Sequence, residues 1–210
     1  GVILENTLLP DIPTDFGGFA PKNFDNNFTG VIEARSALAL SLNVPNVWLL
    51  KEYGVSRFAS LLQNCGLSTL TRSPDAYGLS LILGGAEVTL KDIVDCYARL
   101  ARFDSQFPLN DSVAIYSMLN AMREVNRPDQ LDWSRVTSAQ NIAWKTGTSY
   151  GAIDGWAIGV TTKYAVGVWV GNADGSGVAD LTGARTAGPI MFDIFNMLPS
   201  GGWFKAPDGN

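Results

Sequence analysis

Gln140-Asn141-Ile142-Ala143-Trp144-Lys145-Thr146-Gly147-Thr148-Ser149-Tyr150 is the run that decides how this chain is read. It is apolar and β-compatible up to Trp144, then sets an ammonium and two hydroxyls around a glycine. Two more strand-like runs follow, Trp156 to Thr162 and Tyr164 to Gly171, joined at Thr162-Lys163. The three predict an antiparallel meander. Side chains alternate along a strand, so Lys145 and Gly147 belong on one face and Thr146 and Thr148 on the other. Gly147 has no Cβ, so an extended ligand backbone can lie against this strand as an added strand. Hydroxyls and an ammonium beside such an edge suit a carboxylate. The same pattern also fits an edge strand with a solvating lysine and two surface threonines.

The chain of 210 residues contains no histidine. That excludes a Ser-His-Asp triad, a Cys-His dyad and any His-ligated metal site. The serine layout that remains is one in which a lysine supplies positive potential and proton transfer beside the nucleophile. A K-[ST]-G triplet arises by chance in about one chain in ten of this length on average composition, so its context has to carry the reading.

A second constellation lies a hundred residues upstream, in Ser41-Leu42-Asn43-Val44-Pro45-Asn46-Val47. Glu33 to Leu40 reads as a short helix, Pro45 is read as forbidding helix continuation through its neighbourhood, and Val47 to Tyr53 resumes a helical pattern. Ser41 and Asn43 are therefore expected on a kink between two apolar helices. From there a hydroxyl and an amide either serve a cleft or cap the flanking helices.

Taken together, Ser41-Leu42-Asn43-Val44-Pro45, Lys145-Thr146-Gly147-Thr148-Ser149-Tyr150-Gly151 and Asp154-Gly155-Trp156-Ala157-Ile158-Gly159 resemble the transpeptidase domain of class A penicillin-binding proteins, most of all the penicillin-binding protein 1C group. Pro21-Lys22-Asn23-Phe24-Asp25, Leu79 to Gly85, Gly167 to Asn172 and Thr182 to Pro189 fit the same family in the same order. The resemblance implies an α/β fold of α+β type, in which an antiparallel sheet is flanked by helices. One feature departs from the family: no Ser is followed by Lys three residues later anywhere in the chain. In the family that S-x-x-K pair carries the nucleophile and lies upstream of the stretch matching Pro21 to Asp25. The chain is thus expected to be the C-terminal part of a transpeptidase domain, with Gly1 as a scar or arbitrary start.

What the resemblance implies for the site is specific. Ser41 and Lys145 take part in proton relay and charge stabilisation. Asn43 holds the backbone of the substrate, and Thr146, Gly147 and Thr148 bind its carboxylate and reacting carbonyl. Tyr150 is a candidate cleft residue. Asp154 is either a steering group for an incoming amine or a turn aspartate bonded to its own backbone. Trp156 and Trp169 are expected as sheet-face packing. The implied partners are peptidoglycan stem peptides ending in acyl-D-Ala-D-Ala and β-lactam antibiotics, with no cofactor and no metal. The implied setting is the periplasmic face of the bacterial inner membrane, with a membrane-anchored parent carrying a glycosyltransferase domain. In the family the S-x-x-K segment also adds two strands beside the one matching Tyr164 to Gly171. Without it an exposed edge would favour self-association. A non-catalytic penicillin-fold binding module, and more remotely a β-lactam sensor or β-lactamase, are the competing classes.

Composition fits one core-forming domain spanning 1–210: 46% of residues are hydrophobic and 17% charged, with mean hydropathy +0.09. A net charge of −5 argues against nucleic acid. Cys65 and Cys96 form no C-x-x-C and read as buried thiols, with pairing left open. Within the domain, 1–30 reads as an extended surface loop, 31–138 as a mainly helical part holding the S-x-N motif, and 139–210 as the K-T-G strand, its partners and a C-terminal helix. Helices are expected over Ser56 to Asn64, Thr89 to Phe103, Ser112 to Val125 and Arg185 to Leu198, the last packing Ile190, Phe192, Ile194 and Phe195. Asp174-Gly175-Ser176-Gly177 reads as a turn.

Overall fold

In the computed structural model, which describes residues 3–125 and 140–207, the chain divides into two units, Gly1–Thr89 and Leu90–Asn210. The boundary expected at 138/139 lies outside the described residues.

The first unit begins with an antiparallel pair, Leu8–Asp11 (β1) and Gly30–Glu33 (β2), in which Leu9 faces Ile32 and Asp11 faces Gly30. Part of the stretch read as a surface loop is therefore a strand. Its alternation is visible in retrospect, since Leu9 and Asp11 are buried while Leu8 is exposed. Ala34–Ala39 (α1) follows at once, its first N–H groups bonded to Thr7 O and Glu5 O. Next come Asn43–Tyr53 (α2), Val55–Asn64 (α3), the single turn Pro74–Tyr77 (α4) and a 3-10 helix over Gly78–Leu83. Helix α2 does not wait for Val47. It starts at Asn43 and passes through Pro45, because Pro45 sits in the first turn, where its missing N–H would have had no intrahelical partner.

The second unit holds the predicted meander. Ala143–Thr148 (β3), Asp154–Val160 (β4) and Ala165–Gly171 (β5) form a sheet in that order, antiparallel throughout. The register pairs Lys145 with Ile158, Gly147 with Trp156 and Trp156 with Trp169. Trp144, Thr146 and Thr148 therefore share a face with Gly159, Ala157 and Gly155, and Lys145 and Gly147 share the other with Ile158 and Trp156. Leu90–Ala101 (α5) covers the Lys145 face, and Ala187–Met197 (α7) covers the Trp144 face. Both approaches depend on glycine. A Cβ on Gly167 would overlap Val94 Cγ2 of α5, and one on Gly159 would come within 2.8 Å of Met191 and Phe195 of α7.

Ser112–Arg123 (α6) starts from Asp111, whose carboxylate accepts from the N–H groups of Val113 and Ala114 at 3.0 Å, a cap worth about 1 kcal/mol. In α7 the core positions are Met191 and Phe195. Ile190, expected to pack, is instead exposed, because the buried stripe runs Ala187, Gly188, Met191, Phe195 at spacings of three and four. Both cysteines are buried thiols, with no disulfide between them. The expected α/β organisation of α+β type is thus what forms.

Candidate active site

The sequence-predicted residues fall into two groups, one in each unit. The larger is built on β3. Trp144 is fully buried, donates its Nε1–H to Val125 O at 3.1 Å, and meets the Phe192 ring edge-on at 4.8 Å. Such a ring pair adds about 1 kcal/mol to the burial itself, and it fixes the strand one residue before Lys145. Lys145 is half-buried and donates Nζ–H to Thr146 O at 3.1 Å. Burial disfavours the charged form of an amine and pushes the Lys145 ammonium from its ordinary 10.5 down to about 8. At neutral pH it is still a cation, but one poised to give up its proton.

The end of β3 is open. Gly147 and Thr148 are both exposed. A Cβ on Gly147 would meet only Trp156 Cβ, at an ordinary 3.6 Å. The packing of the chain itself therefore does not require glycine at 147. A missing side chain there instead leaves the strand bare for something outside it, the condition a strand-like ligand needs.

Thr148 Oγ accepts a hydrogen bond from Gly183 N–H at 3.1 Å. That bond uses one acceptor lone pair of the hydroxyl and leaves its proton available to donate. Gly183 can take this place only without a side chain, since a Cβ there would overlap the carbonyl oxygens of Trp156 and Gly147. Its role was not legible in the sequence. Gly183 lies within a family-like stretch, but nothing local to Thr182-Gly183-Ala184 says that it lies over β3. Thr146, half-buried, faces the same side as Thr148.

The two flanking candidates differ. Asp154 accepts from Trp169 Nε1–H at 2.8 Å, and its N–H donates to Ser149 Oγ at 2.8 Å. Its carboxylate is thus held by the indole across the sheet, where the sequence suggested either a free steering group or a self-bonded turn. Trp169 is itself paired edge-on with Trp156 at 6.5 Å, as sheet-face packing. Tyr150 is fully exposed.

Ser41 and Asn43 form the second group, at the turn between α1 and α2. Ser41 is exposed and lies in the left-handed region, with φ 56°, which turns the chain sharply ahead of Leu42. The N-cap position of α2 is Leu42, which has no capping side chain. Asn43 does not cap either: its Nδ2–H donates to Lys22 O at 2.7 Å. The acceptor for the first helical N–H groups is Asn23 Oδ1, at 2.9 Å from Asn43 N and 3.3 Å from Val44 N. Asn23 is the second site residue that the sequence did not disclose by role. Its stretch was singled out, but a cap supplied from twenty residues away leaves no local spacing signal.

The chain is 38% identical to penicillin-binding protein 1C of Escherichia coli strain K12, over 95% of this chain and 27% of that protein. This chain is a homologue of part of a penicillin-binding protein. It is also 28% identical to penicillin-binding protein 1F of Bacillus subtilis strain 168, over 79% of this chain and again 27% of the relative. The chain therefore spans about a quarter of the length of these relatives. No protein-family model matches it. Its penicillin-binding fold is shared with penicillin-binding protein 1A from Haemophilus influenzae, at a TM-score of 0.76 and 17% identity over 98% of this chain and 41% of that one. It is shared also with the PonA1 protein from Mycobacterium tuberculosis solved in complex with penicillin V, at 0.77 and 18% over 97% of this chain and 66% of that one.

Proposed function

We propose that this chain is part of a transpeptidase domain that cross-links peptidoglycan stem peptides, with β3 as the strand that binds the end of the stem peptide. The observation that carries this reading is β3 itself. A half-buried lysine with a pKa lowered to about 8 stands on a strand whose far end combines a bare glycine with a hydroxyl held by Gly183 N–H. A D-Ala-D-Ala terminus is an extended backbone ending in a carboxylate. The strand edge takes the backbone, and Thr146 and Thr148 take the carboxylate under the positive potential of Lys145.

The family resemblance supplies the chemistry. A serine supplied by an S-x-x-K segment, which this chain does not contain, attacks the penultimate D-Ala carbonyl. The peptide bond to the terminal D-Ala breaks, its nitrogen takes the proton that the serine hydroxyl gives up, and an acyl-enzyme remains. Thr148 N–H, together with the N–H of that serine, stabilises the developing oxyanion, an interaction worth several kcal/mol in acyl transfer. The amine of a second stem peptide then attacks the ester, expels the serine and forms the cross-link. A β-lactam enters by the same route because its amide mimics the scissile bond. The setting that suits this work is the periplasmic face of the inner membrane, in a parent that also carries a glycosyltransferase domain.

A second reading is a binding module that holds stem peptides without acylation. Labelling with fluorescent penicillin followed by mass spectrometry separates the two. The expected result is no covalent adduct on this chain and a single acylated serine in the full-length protein. An adduct on Ser41 or Ser149 would sink the assignment of the nucleophile. A full-length protein that binds stem peptide yet never acylates would favour the binding module.

A further inference from the structure

The turn that carries Ser41 and Asn43 is held by a buried polar chain that starts about 30 residues earlier. Asp11, at the end of β1, is 0% exposed. Its Oδ2 accepts from Thr29 N–H at 2.8 Å and Thr29 Oγ–H at 2.9 Å, and its Oδ1 accepts from Asn23 Nδ2–H at 2.7 Å. Asn23, 2% exposed, uses its other amide proton on Asn27 O at 2.8 Å. Both donors of the Asn23 amide are thus committed, and a carboxylate can only accept. The amide has one permissible orientation, with Oδ1 toward the N–H groups of Asn43 and Val44. Lys22 O, one residue away, takes the Asn43 side chain.

We propose that Asp11 and Asn23 are positioning residues for the S-x-N turn. Asp11 sets the orientation of the Asn23 amide, Asn23 sets the first turn of α2, and through it the placement of Asn43 and Ser41. This rests on the transpeptidase reading for its purpose, not for its geometry. Burying a carboxylate is costly, and a helix start needs no such device, since a Ser or Asp at position 42 would cap α2 locally. A local cap would secure the helix but not its position against the loop over 22–29. The buried chain does both, because it ties α2, the Asn23 loop and β1 through fully satisfied bonds of fixed polarity.

Polarity gives the test. In Asp11→Asn the new amide cannot accept from Asn23 and from Thr29 N–H at once. If Asn23 flips to relieve this, its NH2 faces the N–H groups of α2. In the double variant Asp11→Asn/Asn23→Asp, the amide now at position 11 donates to the carboxylate now at position 23. That carboxylate accepts from Asn43 and Val44, so the relay is restored except at Asn27 O, where two acceptors now face each other and recovery is held short of complete. The full-length protein and each variant are to be titrated with fluorescent penicillin, reading the acylation rate constant separately from the amplitude. Amide hydrogen exchange at Asn43 and Val44 is followed alongside.

Misplacing reacting groups by a fraction of an ångström should cost Asp11→Asn about tenfold in rate at unchanged amplitude. The double variant should recover most of that loss, and exchange protection should fall and return in step. Thr29→Val, which removes only one bond to Asp11, should give a smaller loss and serves if Asp11→Asn does not fold. An unchanged rate in Asp11→Asn, or a loss seen only in amplitude, overturns the positioning role. If the unsubstituted full-length protein never acylates, it is the transpeptidase reading that falls, and the exchange pattern still decides whether Asp11 sets the turn.

Discussion

Replacing Lys145 by methionine should make the protein more stable at neutral pH while disabling the proposed site. In the folded chain the Lys145 ammonium has lost water, and its pKa falls from 10.5 to about 8. Each pH unit of difference is worth about 1.4 kcal/mol, so holding this charge costs the fold about 3 kcal/mol at most. A depressed lysine pKa means that the unfolded chain binds the extra proton between pH 8 and 10.5, so stability rises with pH across that window. Below pH 8 the cost is present in full; above 10.5 it is gone. Met has a similar length and no charge to desolvate, but it gives up the polar contacts of Lys145, the hydrogen bond to Thr146 O among them, at about 1 kcal/mol each. The net expectation is a gain of up to about 2 kcal/mol at pH 7 that shrinks as the pH rises toward 10. Urea unfolding of the Lys and Met forms at both pH values reads this difference directly. A variant that is less stable at pH 7, by an amount that does not change at pH 10, would refute the reasoning. It would mean that the ammonium is held by compensating partners and that its burial is no store of unfavourable energy.

Gly183→Ala should displace β3 from its register, since the new Cβ would overlap two backbone oxygens. A loss of about 1–3 kcal/mol is expected, with the largest amide shifts at Thr148 and Trp156; shifts confined to residues 182–186 would contradict it. Trp144→Phe leaves Val125 O without its donor and opens a cavity in the core, for an expected loss of about 2–3 kcal/mol in denaturant unfolding. A loss below about 0.5 kcal/mol would mean that water replaces the indole. This chain alone should also self-associate through the edge of β5 that pairs with no strand among the described residues. Sedimentation across micromolar to millimolar concentrations should show it, and a strict monomer throughout would remove the exposed-edge argument.

Much of the β3 region was legible because its signals are local. Period-two alternation around Lys145-Thr146-Gly147-Thr148 assigns the faces, and short polar connections at Thr162-Lys163 dictate antiparallel neighbours. The meander, its order and the division of Lys145 from the threonines all formed as read. Where reading failed, the deciding partner was distant in sequence. Pro45 looked like a helix breaker because its neighbours alone do not reveal that Asn23 Oδ1 is waiting to satisfy the first turn. Leu8 to Asp11 looked like loop because a four-residue strand gains its identity from the partner at Gly30–Glu33.

The candidate site divides in the same way. The sequence by itself determined which groups are present: an ammonium, hydroxyls, an amide, a bare glycine, and no imidazole to run the chemistry differently. Those are properties of residue types and spacing, fixed before folding. The tertiary structure alone decided their state. It lowers the Lys145 pKa by removing water, engages the Thr148 hydroxyl with Gly183 N–H, ties up Asp154 against Trp169, and orients the Asn23 amide through buried Asp11. Desolvation and hydrogen-bond direction depend on what lies within a few ångströms, and those neighbours come from 15 to 35 residues away along the chain in the cases of Asp154, Asn43 and Thr148. No window of local sequence holds that information.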